Sequence, residues 1–273
     1  MLSRVHRQIR RRLARRLALP LVVCLATTLG FSACTPQHRV TYRVETWGDS
    51  IGFQAAPYIN YFFTASGRVN SRTHVFAATA ICDWIPDIRR ELDPHNPAGF
   101  HPNRIVLAFS GVALFPCTKD ANGVPLAGQA LIDRYAADAR TVIAIASAVH
   151  VPVYFASTPI FREDATRYVN DTPLGMMYST LPAAFPGGIV RFIDSALSVE
   201  WQGHYTDTLP CQRFEHCTGR WPDGTPTVVV RESDGKHFCP VPELFFNCPV
   251  PMPGAMRYGA SITSRVLGDL PRT

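Results

Sequence analysis

The 273-residue sequence has no internal repeat and no low-complexity tract, which excludes a solenoid and a linker-like chain. Its first sixteen residues hold no acid but seven arginines: Arg4, Arg7, Arg10, Arg11, Arg12, Arg15 and Arg16. The remainder has no excess of basic charge. The whole chain carries 27 Lys+Arg against 21 Asp+Glu, a formal +6; without the seven arginines, 20 bases face 21 acids, a net of about −1. No basic patch and no basic-aromatic interleaving remains, so a nucleic-acid partner is not expected. The apolar run Leu17 to Phe31, interrupted by Pro20, is short for a membrane span.

Basic residues, then that apolar run, then Ser32-Ala33-Cys34-Thr35-Pro36 is the layout of a bacterial export signal. Residues 1–34 are therefore expected to be a leader, and residues 35–273 a single domain. Phe31-Ser32-Ala33-Cys34 resembles a lipobox, in which the cysteine becomes the lipidated first residue. Lipid attachment through Cys34 at the outer face of the membrane, plain cleavage with secretion, and an uncleaved anchor all stay open. The paired arginines also suit the twin-arginine route.

Of eight cysteines, six lie beyond the leader: Cys82, Cys117, Cys211, Cys217, Cys239 and Cys248. An even number in an exported chain implies three disulfides, and six thiols allow 15 pairings. The preferred set is Cys82 with Cys117, which follow neighbouring predicted strands, and Cys211–Cys217 and Cys239–Cys248 as local staples. A metal reading competes, because His204, Cys211, His216 and Cys217 lie close together. Their spacing fits no standard zinc site, so neither metal nor organic cofactor is expected.

The body is long enough for one well-cored domain. Expected strands are Val40 to Thr46, His74 to Ala78, Arg104 to Phe109, Val151 to Ser157 and Thr227 to Val230. Continuous apolar runs such as Ile105 to Phe109 suit strands buried on both faces. Helical patterns cover Gly52 to Ala65, Trp84 to Leu92, Leu126 to Val149, Ile189 to Ser198 and Gly254 to Leu267. Strands alternating with crossover helices imply an α/β fold, a parallel sheet with helices on both faces. Sites in such sheets lie at the carboxyl ends of strands, and Ser50, Ala78, Gly111 and Asp234 all fall at or after the ends of expected strands.

Val44 to Gln54 runs as an extended segment into Gly48-Asp49-Ser50 and then into a helical pattern. A serine on a tight strand-to-helix turn exposes its Oγ at a helix N-terminus, although the same residues make an ordinary turn and N-cap. Far downstream, Asp234 and His237 follow a β-branched run. A serine nucleophile needs a base, and the base needs a partner that fixes its tautomer; Asp-x-x-His on a loop supplies both. Asp49 is expected to hold the turn, Asp83 to start a helix and Trp84 to be buried. His74, His101 and His150 are expected at the surface or at strand ends.

These blocks, together with Phe76 to Trp84 (F-A-A-T-A-I-C-D-W) and Val106 to Gly111 (V-L-A-F-S-G), resemble the SGNH hydrolases, the GDSL esterase/lipase family, in its secreted actinobacterial form. The likeness covers roughly Val40 to Leu267 with the blocks in order. It implies a flavodoxin-like three-layer α/β/α sandwich with a mostly five-stranded parallel sheet. It also implies a serine ester hydrolase with Ser50 as nucleophile, His237 as base and Asp234 as its partner. In two places the chain departs from the family. Ala77 or Ala78 stands where a glycine N–H usually helps hold the oxyanion, which is tolerable for alanine at negative φ. Ser110-Gly111-Val112 stands where Ser-Gly-Asn usually supplies an asparagine donor, and losing one donor costs about 10² to 10³ in turnover. The expected oxyanion groups are the N–H of Ser50 and of Ala78 with the Gly111 turn, and the third donor is missing or comes from Ser110, a water or the substrate.

Two long irregular stretches, Thr158 to Gly188 and Trp201 to Pro226, are candidates for a binding site or lid. Phe161, Arg162, Tyr168, Met176, Met177, Tyr178 and Trp201 can line an acyl or sugar pocket or simply pack under a loop. The resulting expectation is an exported, monomeric carboxylesterase or acetylesterase acting on an acylated glycan or lipid of the envelope. An O-acyltransferase of the same fold, and a binding protein that has lost catalysis through Val112, stay open.

Overall fold

The computed structural model describes residues 41–231, 234–241 and 248–271; the expected leader with Cys34 lies outside them. Five strands build the central sheet: β1 (Tyr42–Gly48), β2 (Val69–Val75), β3 (Arg104–Ala108), β4 (Val153–Ala156) and β5 (Val190–Ile193). All pair in parallel, in the order β2-β1-β3-β4-β5. The chain leaves β1 toward one edge and returns on the other side of it as β3. The point where strand order reverses therefore lies between β1 and β3, and crevices open there at the carboxyl ends of the strands.

The strands carry apolar residues on both faces. Val44, Val106, Ala108 and Tyr154 pack under α1 (Ser50–Ala65), joined by residues of a C-terminal helix. Trp47, Ile105, Leu107 and Phe155 form the other cluster, with α2 (Ile81–Leu92), α3 (Gly128–Ala148) and α4 (Pro173–Ala184). Successive side chains of a strand point to opposite faces, so Tyr154 and Phe155 divide between the two clusters. The result is a three-layer α/β/α sandwich.

Membership of the sheet differs from the sequence expectation. Thr227 to Val230 is not its fifth strand. That run belongs to β8 (Pro226–Val229), which pairs antiparallel with β6 (Thr208–Pro210) and β7 (Gly219–Arg220) in a separate small sheet. The fifth parallel strand comes from Ile189 to Ser198, expected to be helical; Val190–Ile193 is strand and Ala196–Val199 a 3-10 turn. A short apolar run satisfies both periods, and periodicity alone does not separate them. β2 lies earlier than expected because it is an edge strand of sequence V-N-S-R-T-H-V, without the apolar run of a central strand. α4 arises inside a stretch expected to be irregular, started by Pro173 and capped by Thr172, whose Oγ1 accepts the Gly175 N–H at 3.1 Å. The C-terminal helix is α5 (Pro253–Gly268).

The three disulfides are Cys82–Cys117, Cys211–Cys217 and Cys239–Cys248, so Cys211 and Cys217 have no thiolate to offer a metal. Among the described residues, no helix is long and apolar enough to cross a membrane.

Candidate active site

Gly48 brings β1 so close to β3 that a Cβ there would meet the Ala108 carbonyl oxygen at 2.7 Å, a steric reason for glycine at this position. Asp49 is the N-cap of α1, its Oδ1 accepting the Ile51 N–H at 3.0 Å. Its Oδ2 accepts both the N–H and the hydroxyl of Ser110, each at 2.6 Å. One carboxyl group thus fastens the turn after β1 to the turn after β3. Burial pushes that carboxyl above its ordinary pKa, against the bonds from Ser110 and Ile51 that pull it down.

Ser50 stands on the first turn of α1, where unpaired peptide N–H groups favour negative charge. His237 Nε2 lies 2.9 Å from Ser50 Oγ, and His237 Nδ1 lies 2.6 Å from Asp234 Oδ2. Asp234 Oδ1 accepts the N–H groups of Lys236 at 2.8 Å and His237 at 3.0 Å. Burial alone would raise the Asp234 carboxyl, but these bonds outweigh it and hold the group below the ordinary carboxylate range. An ionised Asp234 accepts the Nδ1 proton, which leaves the Nε2 lone pair facing the serine hydroxyl. A cavity of about 620 Å³ opens beside this pair, walled by Ala77, Ala78, Gly111 and Val112 among others. Ser50, His237 and Asp234, far apart in sequence, therefore form one hydrogen-bonded chain at a cavity, the arrangement that a serine nucleophile requires.

Solved structures similar to this chain include a GDSL-like lipase from Bacteroides thetaiotaomicron, at 13% identity over 84% of this chain and 89% of that one, with a TM-score of 0.47. Another is the acetyl xylan esterase AlAXEase, at 14% identity over 82% and 99%, with a TM-score of 0.49. TesA is a third, at 11% identity over 84% and 99%, also with a TM-score of 0.49. No protein-family model and no curated protein sequence matches. What the site can do follows from its own geometry.

Among the described residues, the backbone N–H groups of Ser50, Ala78 and Gly111 donate to no other group, and all three residues line the cavity. Ala78 takes φ +70°, so the condition of negative φ under which alanine was expected there is not met. A left-handed non-glycine residue costs roughly 1–3 kcal/mol and persists only when its surroundings enforce it. Here Thr79 Oγ1 donates to Phe76 O at 2.7 Å and accepts Trp84 Nε1–H at 3.0 Å, fixing the turn. Gly111 takes φ +94°, and the Tyr135 hydroxyl donates to the next carbonyl, Val112 O, at 3.0 Å. Ser110 is not the substitute third donor, because its hydroxyl proton goes to Asp49. Restoring the side-chain donor by Val112→Asn is expected to raise ester turnover by about tenfold to a hundredfold; an unchanged or lower kcat would mean that main-chain groups already fill that role.

Several residues that position the site escaped the sequence reading. Gln54, one helical turn beyond Ser50, accepts the Phe238 N–H on Oε1 at 2.6 Å and so ties the loop carrying His237 to the helix carrying Ser50. A polar residue on the buried face of a helical pattern, at i+4 from Ser50, is the signal that was there to find. Arg231 and Glu200 form a fully buried ion pair at 2.6 Å beneath the same loop, and burial pushes the Glu200 carboxyl up to about 7 against the pull of Arg231. Of the loop residues named as pocket candidates, Phe161 lines the cavity. Tyr178 is buried and Met177 packs beside it in the core, Tyr168 packs on His204, Trp201 packs on Trp221, and Arg162 bonds Asp207.

Proposed function

We propose that the chain is a serine ester hydrolase of the SGNH type. The observation that carries this reading is the unbroken line Asp234–His237–Ser50, ending on a helix N-terminus at a cavity. His237 Nε2 takes the Ser50 proton as Oγ attacks the ester carbonyl carbon. The charge that develops on the carbonyl oxygen is met by the N–H groups of Ser50 and Ala78 and by the Gly111 turn. Collapse breaks the bond to the alcohol oxygen, which leaves with the proton from His237. Water then adds to the acyl-serine by the same route, giving the acid and regenerating Ser50. None of these steps draws on a metal or organic cofactor.

The basic-then-apolar leader supports export, and the lipobox-like Phe31 to Cys34 supports lipid attachment at the envelope, where acylated glycans and lipids are the esters at hand. A second reading, a binding protein without turnover, is favoured by Val112. Fluorophosphonate labelling of the purified full-length chain, with its disulfides formed, decides between them. Labelling that disappears in Ser50→Ala is the expected result. An unlabelled but folded wild-type chain would favour the binding protein.

A further inference from the structure

We infer that the ester is divided between two adjoining cavities: the one beside Ser50 takes an apolar acyl chain of several carbons, and its neighbour takes a neutral, hydroxyl-bearing alcohol. This rests on the hydrolase reading above and adds the substrate class.

The first cavity, about 620 Å³, has roughly twenty times the volume that one water occupies in the liquid. An acetyl group would leave most of it empty. Away from the triad its wall is Ala77, Val112, Ala113, Leu114, Pro125 and Phe161. Leu114 is 62% exposed, and exposed apolar surface gathered around a cleft marks a ligand. Val112, where the resemblance leads one to expect a polar asparagine, extends this apolar lining up to the reacting centre.

The second cavity, about 370 Å³, shares Ser110, Gly111, Phe161 and Lys236 with the first. Its other walls mix apolar residues, Leu131, Ile132, Pro159 and Leu174 among them, with the polar side chains of Gln129, Glu163, Asp164 and Thr172. Phe161 stands at the boundary, with Lys236 Nζ 5.3 Å from its ring centroid. Lys236 Nζ is in turn paired with Glu163 Oε1 at 2.8 Å. Asp164 Oδ1 is likewise paired with Arg167 Nε at 2.8 Å, so among the described residues each charged side chain lining the second cavity has an opposite partner. A charged alcohol meets no unpartnered counter-charge in that lining, which favours a neutral one. Carboxylates that accept and an amide and a hydroxyl that also donate suit an alcohol with several hydroxyl groups.

The test uses the purified full-length chain with its disulfides formed. Across p-nitrophenyl esters from acetyl to decanoyl, kcat/KM is expected to climb by up to about fourfold per methylene over the first several carbons, and Leu114→Asp is expected to flatten the climb. A wild-type optimum at acetyl would overturn the acyl assignment. At fixed octanoyl chain, the glycerol monoester is expected to be cleaved about fivefold to tenfold better than the ethyl ester, with the preference falling in the Gln129→Ala/Glu163→Ala double variant. Equal rates in the wild type would overturn the alcohol assignment. Fluorophosphonate labelling of Ser50 alongside an acetyl optimum and equal alcohol rates would remove this inference and leave the hydrolase reading standing; absence of labelling would remove both.

Discussion

Replacing His237 with alanine is expected to lower ester turnover by about 10⁴ to 10⁶ while leaving the fold and KM nearly unchanged. Without the imidazole, the Ser50 hydroxyl loses the acceptor at 2.9 Å that takes its proton. Little structural cost follows, because the loop is held without the imidazole: by the Phe238 N–H on Gln54, the Arg162 N–H on Gly235 O at 3.1 Å, and the Cys239–Cys248 bond. Steady-state kinetics with the unfolding midpoint as control measures it, and turnover within tenfold of wild type would remove His237 from the mechanism. Asp234→Asn is expected to cost on the order of 10⁴ by favouring the wrong tautomer. The depressed Asp234 carboxyl also fixes a sign. Its contribution to stability is present above the ordinary carboxylate range and disappears as pH falls through its lowered folded value, so it adds nothing to pH dependence near neutrality.

The second large effect is on stability. Converting both Cys82 and Cys117 to serine opens a loop with a sequence separation of 35, and the chain-entropy model assigns such a bond about 4 kcal/mol. At roughly 2–4 °C per kcal/mol for a domain of this size, the melting temperature should fall by about 10 °C. Cys82 lies on α2 just past the Ala78 turn and Cys117 just past the Val112 turn, so kcat is expected to fall as well, even where the variant is fully folded. A melting temperature within 2 °C of wild type would show that the fold holds these loops without the bond.

The alternation of strand and helix was legible because central strands such as Ile105 to Phe109 must be apolar on both faces. The pairing of Ser50 with Asp234 and His237 was legible through their residue types and their order. The fifth strand was hidden because Ile189 to Ile193 fits both periods, and only its hydrogen bonds to β4 decide between them: Val153 N–H to Ile189 O and Ser157 N–H to Ile193 O, both 2.8 Å. Gln54 and Phe238 stand 184 residues apart, so local patterns carry no sign of their bond. Ala78 was hidden for another reason. Its left-handed backbone is imposed by Thr79 and Trp84, against alanine's own preference.

Ser110 gives its N–H and hydroxyl to Asp49, while Val112, two residues on, gives the frame only a carbonyl. The recognisable part of this block therefore records how a loop is moored, and the position that would carry chemistry can change without loosening the mooring. On the hydrolase reading, such a chain can exchange a side-chain donor for apolar surface and keep its architecture, which makes residue 112 a place where substrate range and rate can drift while Ser50 stays where it is.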